Sequence, residues 1–287
     1  MRARLPWSPA PSDEHPLIEP LEADHARHLR LSWLSRFNTS TLEMHLAQYP
    51  HHSLWVPSTG EYALVTPWRS RSDIAQVVEV TARRGKVALV RSMTDLMRER
   101  GYKMLLLSDD VWNDETRHYV QLGFSQLERI VFFQRDLRRL DLAPLADGLP
   151  HLDFTKASAS DLDILMRLDH ASFPWLWWNS PVEFKGYLQL SDVQVYIALL
   201  EEKPVGYASF TMYKGWAHLD RLAVIEEEQG KGFGAAQLHH ILGIMQGLSA
   251  DSVNLSTQED NVRSHRLYKS FGFRRTTEKM GFYGREL

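Results

Sequence analysis

The sequence predicts an α/β chain, an α+β mixed-sheet fold, built as two tandem copies of one domain. Apolar runs of strand character alternate with stretches at helical spacing along most of its length. One stretch, Leu219 to Ala236 (LDRLAVIEEEQGKGFGAA), reads as a strand, a glycine-rich turn and the start of a helix. A second pattern occurs twice, about 150 residues apart, which is the period of a duplicated domain and not of a solenoid unit. Ser108 to Phe124 parallels Ser256 to Phe273, and each copy places a tyrosine, Tyr119 or Tyr268, four residues before Gly-Phe. Both copies close on a basic-acidic-Leu triplet, Arg135-Asp136-Leu137 and Arg285-Glu286-Leu287, and Gly60-Glu61-Tyr62-Ala63 answers Val205-Gly206-Tyr207-Ala208.

Composition agrees with two cores. The chain has 287 residues with 44% apolar content, ordinary for globular domains. A net charge of −3 gives no global attraction to nucleic acid or an anionic membrane. The absence of cysteine excludes disulfides and Cys-ligated metals. The N-terminus carries arginines but no apolar h-region, and no run approaches a membrane span, so the expectation is a cytoplasmic protein.

In order, residues 1 to about 16 read as a Pro/Ser-rich arm, and Glu22 to Ser35 as a helix presenting Ala26, Leu29, Leu31, Trp33 and Leu34. Thr39 or Ser40 caps a second helix to about Gln48. Ser53–Val56 and Glu61–Val65 flank a hairpin turn at Pro57–Gly60. Ile74–Val80 is a strand, Val87–Arg100 a helix ended at Gly101, and Lys103–Leu107 a strand. Arg138 to His151 reads as a linker. The domains are therefore 1–140, a linker at 141–150, and 151–287. Leu152–Thr155 opens the second domain as a strand. Ser158 or Ser160 caps a helix with Leu162, Leu165 and Met166, and Glu183–Leu190 is a short helix. Strands follow at Val193–Leu200, Gly206–Tyr213 and His218–Ile225, then Ser252–Thr257 and Arg274–Tyr283.

The glycine turn carries the chemistry. Gly230, Gly232 and Gly234 precede a helix whose Ala235, Leu238, Ile241, Leu242, Met245 and Leu248 share a face. Such a turn aims backbone N–H groups and the positive end of a helix dipole at one point, an anion site for a phosphate-bearing ligand. The letters also satisfy a dinucleotide fingerprint and fail the Walker pattern. The second motif breaks the tie: Asn261, Tyr268, Gly272 and Phe273, in EDNVRSHRLYKSFGF, follow a short strand. Gln229-x-x-Gly232-x-Gly234-Ala235 followed by N-x6-Y-x3-GF resembles the GNAT superfamily of acyl-CoA-dependent N-acyltransferases, over roughly Leu152 to Leu287. The repeat extends the resemblance to two tandem GNAT-like domains, each a mostly antiparallel sheet flanked by helices. The first copy has Thr81-Ala-Arg-Arg-Gly85-Lys-Val, shorter and with one glycine, so its cofactor site is expected to be lost; Arg83, Arg84 and Lys86 form a basic turn there.

The resemblance implies acetyl-CoA as cofactor. Its pyrophosphate lies on the amides of Gln229, Gly230, Lys231, Gly232, Phe233, Gly234 and Ala235. Its pantetheine arm lies along Leu222, Ala223 and Val224, where the strand splays from its neighbour, with Asn261 and Ser264 alongside. Tyr268 is the candidate general acid for the leaving thiolate, or a core residue packed with Leu267 and Phe271. His218 and Asp220 alternate onto one strand face. They are the candidate bases, or a solvated polar pair; the glutamate that ribosomal-protein acetyltransferases use as base is Ser256 here. Phe173, Trp175, Trp177 and Trp178, in FPWLWWNSP, either wall the acceptor site or bury a domain interface. The thirteen histidines show no metal signature, and the pairs His51-His52 and His239-His240 read as surface. The expected function is transfer of acetyl to a primary amine or peptide N-terminus by a monomer, with a non-catalytic acyl-CoA sensor or scaffold as the alternative.

Overall fold

The computed structural model describes residues 17–33, 35–82, 85–108, 120–138, 142 and 151–287. The N-terminal arm, Leu34, Arg83, Arg84, most of the first copy of the tyrosine motif (including Tyr119) and most of the linker lie outside the described residues. The chain forms two units. One comprises residues 1–67, 72–125 and Tyr283–Leu287; the other comprises Trp68–Arg71 and Gln126–Phe282. Each unit thus takes in a segment from the other half of the sequence.

In the first unit, β1 (Glu19–Pro20), β2 (Leu54–Val56), β3 (Glu61–Pro67), β4 (Ile74–Thr81) and β5 (Met104–Ser108) lie in that order. All pair antiparallel except β4 with β5. Alternation along β3 sorts the core. Ala63 and Val65 pack with Leu89 and Met93 of helix α2 (Lys86–Glu99). Tyr62 and Leu64 pack on the other face with Leu42 and Leu46 of helix α1 (Thr39–Gln48). Asn38, not Thr39 or Ser40, caps α1, accepting from Thr41 N at 2.9 Å. The expected helix from Glu22 to Ser35 is a 3₁₀ segment, Ala23–His28, after which Leu29 is extended. Ala26 and Leu29 reach the core but Trp33 is 89% exposed, so a longer helix has no packing to stabilise it.

In the second unit the strands are β6 (Ser125–Asp136, from Gln126), β7 (Asp153–Lys156), β8 (Val193–Leu200), β9 (Lys203–Tyr213), β10 (Trp216–Val224), β11 (Ser252–Gln258) and β12 (Arg274–Glu286, to Phe282). Their order is β12-β6-β11-β10-β9-β8-β7. β10 and β11 run parallel, while β6–β11, β10–β9, β9–β8 and β8–β7 are antiparallel. Helices α3 (Leu162–Ser172) and α4 (Pro181–Tyr187) cover one sheet face through Leu165, Phe184 and Tyr207. Helices α5 (Phe233–Gly247) and α6 (Val262–Ser270) cover the other through Leu238, Ile241, Phe210 and Tyr268. Gly206 is needed for close approach: a Cβ there would lie 2.1 Å from Ala223 O and 2.7 Å from Gln237 Nε2. His240 is not a simple surface residue; its ring stacks on Phe154 at 3.8 Å.

The units repeat two irregularities. The parallel ladder stops early in both, after Gln76–Leu106 and after Leu219–Leu255. Both also carry a bulge on the strand before the gap, at Val78 and at Asp220.

Candidate functional site

Where the β10–β11 ladder stops, Asp220–Val224 and Ser256–Gln258 diverge and a cavity of about 730 Å³ opens between them. The bulge at Asp220 breaks strict alternation, so Leu219, Asp220, Arg221 and Leu222 all line it. Val224 continues the wall, whereas Ala223 is buried and its carbonyl accepts from Gln237 Nε2 at 3.0 Å.

The glycine turn closes one end. Gln229 Nε2 donates to Val224 O at 2.9 Å and fixes the turn to the strand. Gly230 and Gly232 have φ of +83° and +91°, a region that other residues occupy only with strain. Gly232 caps α5 without a side chain, and Gly234 packs beside Leu267 of α6. Glu228, Gln229, Gly230 and Gly234 line the cavity. Lys231 points away to Glu228 at 2.8 Å, Phe233 is buried beside Leu152 and Val205, and Ala235 donates its N–H to Gly232 O.

Helix α6 supplies the next wall through Asn261, Arg263, Ser264, Leu267 and Tyr268. Asn261 Oδ1 caps the helix, accepting from Ser264 N at 3.1 Å. Tyr268 is both a core residue and a cavity residue. Its ring packs against Phe133 and Phe273, and burial pushes its phenol up to about 12. It therefore stays protonated at neutral pH and has a proton to donate.

Asp220 is heavily engaged. Its carboxylate accepts from Thr211 Oγ1 and His218 Nδ1, both at 2.7 Å, and from the Tyr187 hydroxyl. Burial, then the Asp220 charge, pushes the Tyr187 phenol far up, so it too remains a donor. His218 lies behind Asp220 and is not among the lining residues.

The tryptophan segment divides. Phe173 and Trp177 face the cavity. Trp178 stacks on His170 at 4.4 Å and donates to Phe173 O, and Trp175 is 38% exposed with the Arg71 guanidinium 4.6 Å from its ring centre. Trp177 Nε1 donates to Glu128 Oε2 at 2.7 Å, and the Trp177 ring forms an edge-to-face cluster with Trp68 and Phe282. The loop is anchored by Asp169, fully buried, which accepts from Tyr207 Oη at 2.6 Å and Asn179 N at 2.8 Å.

Six charged lining residues were not assigned to the site from sequence: Arg69, Glu128, Arg221, Glu228, Asp260 and Arg263. Burial raises the Glu128 carboxyl, against the opposing hydrogen bonds from Trp177 and Gln258. Arg263 donates to Gln229 Oε1 at the glycine turn. Arg221 Nη2 donates to Trp177 O at 2.7 Å and Asn179 Oδ1 at 3.1 Å, and its Nη1 lies 3.7 Å from Asp169. Arg69 Nη1 donates to the same Asn179 Oδ1 at 2.7 Å. Arg69 and Ser70 hold consecutive positive φ angles of +51° and +53°, each costing about 1–3 kcal/mol. Arg69 and Glu128 belong to the first half of the sequence, where only the run Trp68-Arg-Ser-Arg71 and the repeat itself mark them.

Residues 162–273 match the acetyltransferase (GNAT) family model. No curated protein matches the chain. Among solved structures, a GCN5-related N-acetyltransferase from Sphaerobacter thermophilus aligns at 14% identity with a TM-score of 0.65, covering 95% of this chain and 96% of that one. A tandem GNAT protein from the clavulanic acid biosynthesis pathway aligns at 16% identity with a TM-score of 0.59, covering 94% and 98%. A probable N-acyltransferase from Enterococcus faecalis aligns at 12% identity with a TM-score of 0.64, covering 94% and 72%. At these identities the likeness is one of fold. The strand β10, the glycine turn and helix α6 that build the cavity all fall inside the segment, residues 162–273, that matches the acetyltransferase (GNAT) family model.

Proposed function

We propose that the protein is an N-acetyltransferase that moves an acetyl group from acetyl-CoA to a primary amine by direct attack, in the cavity of the second unit. One observation carries this reading: a gap in the sheet ladder, a glycine-built helix N-terminus and the Tyr268 hydroxyl share one cavity. The thioester supplies an activated acetyl carbon and a thiolate leaving group. The unpaired edge of β10 from Asp220 to Val224 offers backbone groups to the amides and carbonyl of an extended acyl-bearing arm. The turn from Gly230 to Gly234 offers amides to a pyrophosphate, and Gly230 leaves open the space a Cβ would fill.

Tyr268 donates a hydrogen bond to the departing sulfur. A phenol near 12 facing a thiol of ordinary acidity, about 8.5, makes complete proton transfer uphill by roughly 5 kcal/mol, so its contribution is hydrogen bonding in the transition state. Amine deprotonation falls to the His218–Asp220 pair, in which Asp220 fixes the Nδ1–H tautomer, or to Glu128, which the cavity exposes directly. We further propose that the first unit has no cofactor site. Glu61 Oε2 accepts from Gly85 N at 3.0 Å at the start of α2, where an anion would sit, and apolar Val78 holds the bulge position of Asp220. A cytoplasmic location accords with the cysteine-free sequence, and a monomer with the internal repeat.

The engagement of Asp220 by three donors favours the second reading, an acyl-CoA sensor without turnover. Thiol release from acetyl-CoA in the presence of a panel of primary amines separates them. Amine-dependent release with a matching acetylated product supports transfer; tight acetyl-CoA binding with no product from any amine supports the sensor.

A further inference from the structure

We infer that Arg69 and Arg221 form a carboxylate-binding pocket, so that the acceptor is an amine that also bears a carboxylate; this rests on the acyl-transfer reading above. Both guanidinium groups line the cavity and both donate to one oxygen, Asn179 Oδ1. Two like charges brought to a shared acceptor repel, and the fold keeps them there only with compensation. Asp169 compensates one: it lies 3.7 Å from Arg221 and is otherwise held by Tyr207 and Asn179. Arg69 makes no ion pair among the described residues, although Glu183 and Asp169 both act on it at longer range. The next acid, Glu183, is partly exposed and accepts from Ser70 Oγ. The pair therefore carries one guanidinium more than it has ion-paired carboxylates, and its planar donor forks suit a carboxylate.

Arg69 is also presented for a ligand. Among the described residues its Nε is buried without a hydrogen-bond partner, and its Nη1 alone is used. Its guanidinium is held over the faces of Trp68 and Trp177, at 5.1 Å and 5.5 Å from the ring centres, which fixes the plane of the donor fork. The left-handed conformations at Arg69 and Ser70 are what direct the side chain there. Burial first, and then the Arg221 charge, bring the Arg69 pKa down to about 9, and a bound carboxylate would reverse that. Trp177 joins this pocket to Glu128: its carbonyl accepts from Arg221 and its indole N–H donates to Glu128. An amino acid lying across Trp177 would set its carboxylate on the arginines and its amine toward the glutamate.

The test compares each common amino acid with its own primary amide as acceptor, in the full-length protein and in Arg69→Gln. The expected result is at least one amino acid favoured over its amide by about 100-fold in kcat/KM, carried by KM, with the ratio falling to near one in Arg69→Gln. Arg69→Lys, which keeps the charge without the fork, should give an intermediate ratio. Calorimetric titration of the same pairs into the coenzyme A-saturated protein reads the preference without turnover. Equal use and equal binding of every acid and amide, or a preference that survives Arg69→Gln, would overturn the pocket. Acetyl-CoA affinity, measured in parallel, separates the two failures. A protein that binds acetyl-CoA and ignores carboxylates refutes the pocket alone. One that prefers carboxylates and does not bind acetyl-CoA refutes the transferase reading alone.

Discussion

Replacing Asp169 by Asn should destabilise the protein more than its conservative geometry suggests. The carboxylate is fully buried, holds Tyr207 and the Asn179 N–H, and faces Arg221 at 3.7 Å. An amide of the same shape can keep the Asn179 bond, and the Tyr207 hydroxyl can turn to suit it. What the amide cannot do is balance the Arg221 charge, worth about 4 kcal/mol at that separation and an effective dielectric of 20. Losing one partner of a buried pair costs about 3–5 kcal/mol overall. For a chain of this size that is a fall in Tm of roughly 10 °C. Urea and thermal unfolding followed by circular dichroism measure it directly. The double variant Asp169→Leu with Arg221→Met removes both charges, and should be more stable than the sum of the single losses by about 1–3 kcal/mol. A loss under about 1 kcal/mol in Asp169→Asn, or additive single and double variants, would refute the claim that Asp169 neutralises Arg221.

Gly206→Ala should cost about 2–4 kcal/mol in denaturant unfolding, because its Cβ would lie 2.1 Å from Ala223 O and displace Gln237; a loss below about 0.5 kcal/mol would contradict the close approach. Glu128→Gln should stabilise the protein at neutral pH. The folded-state pKa of Glu128 is raised, so the wild type loses stability as pH rises through the glutamate range, and the advantage of the variant should vanish below it; unfolding midpoints from pH 4 to pH 8, an interval set by ordinary glutamate values of about 4.3, check the sign. Tyr268→Phe should lower kcat by about 10- to 1,000-fold with acetyl-CoA affinity unchanged, and an unaltered kcat would remove the hydroxyl from the mechanism.

How much of this was legible in the sequence depends on whether the signal is local. The glycine turn was readable because Gly230 and Gly232 need positive φ within one strand–turn–helix unit. The Asn261 cap and the placement of Tyr268 followed from helix spacing. Period-two reasoning set His218 beside Asp220, and their side chains do meet at 2.7 Å. The same reasoning puts Arg221 on the opposite face from Asp220, but the bulge at Asp220 brings both into the cavity, and a bulge leaves no mark on one strand read alone. Adjacent tryptophans could not be sorted from composition: Trp177 turns to Glu128 and Trp178 to His170, a choice made by tertiary partners. Arg69 and Glu128 were the least accessible. They lie in the half of the sequence that lacks the glycine motif, and only tertiary structure assigns Trp68–Arg71 and β6 to the second unit.

Calorimetric titration of acetyl-CoA into the protein, beside a Gly232→Glu variant, tests the central claim most directly. The glutamate would have to adopt a φ near +91° and would bring a negative charge to the proposed pyrophosphate site. The account predicts one site per chain in the wild type and none in the variant, with the variant still folded by circular dichroism. Two sites would show that the first unit retains a cofactor site. No binding by the wild type would contradict the acyltransferase account itself.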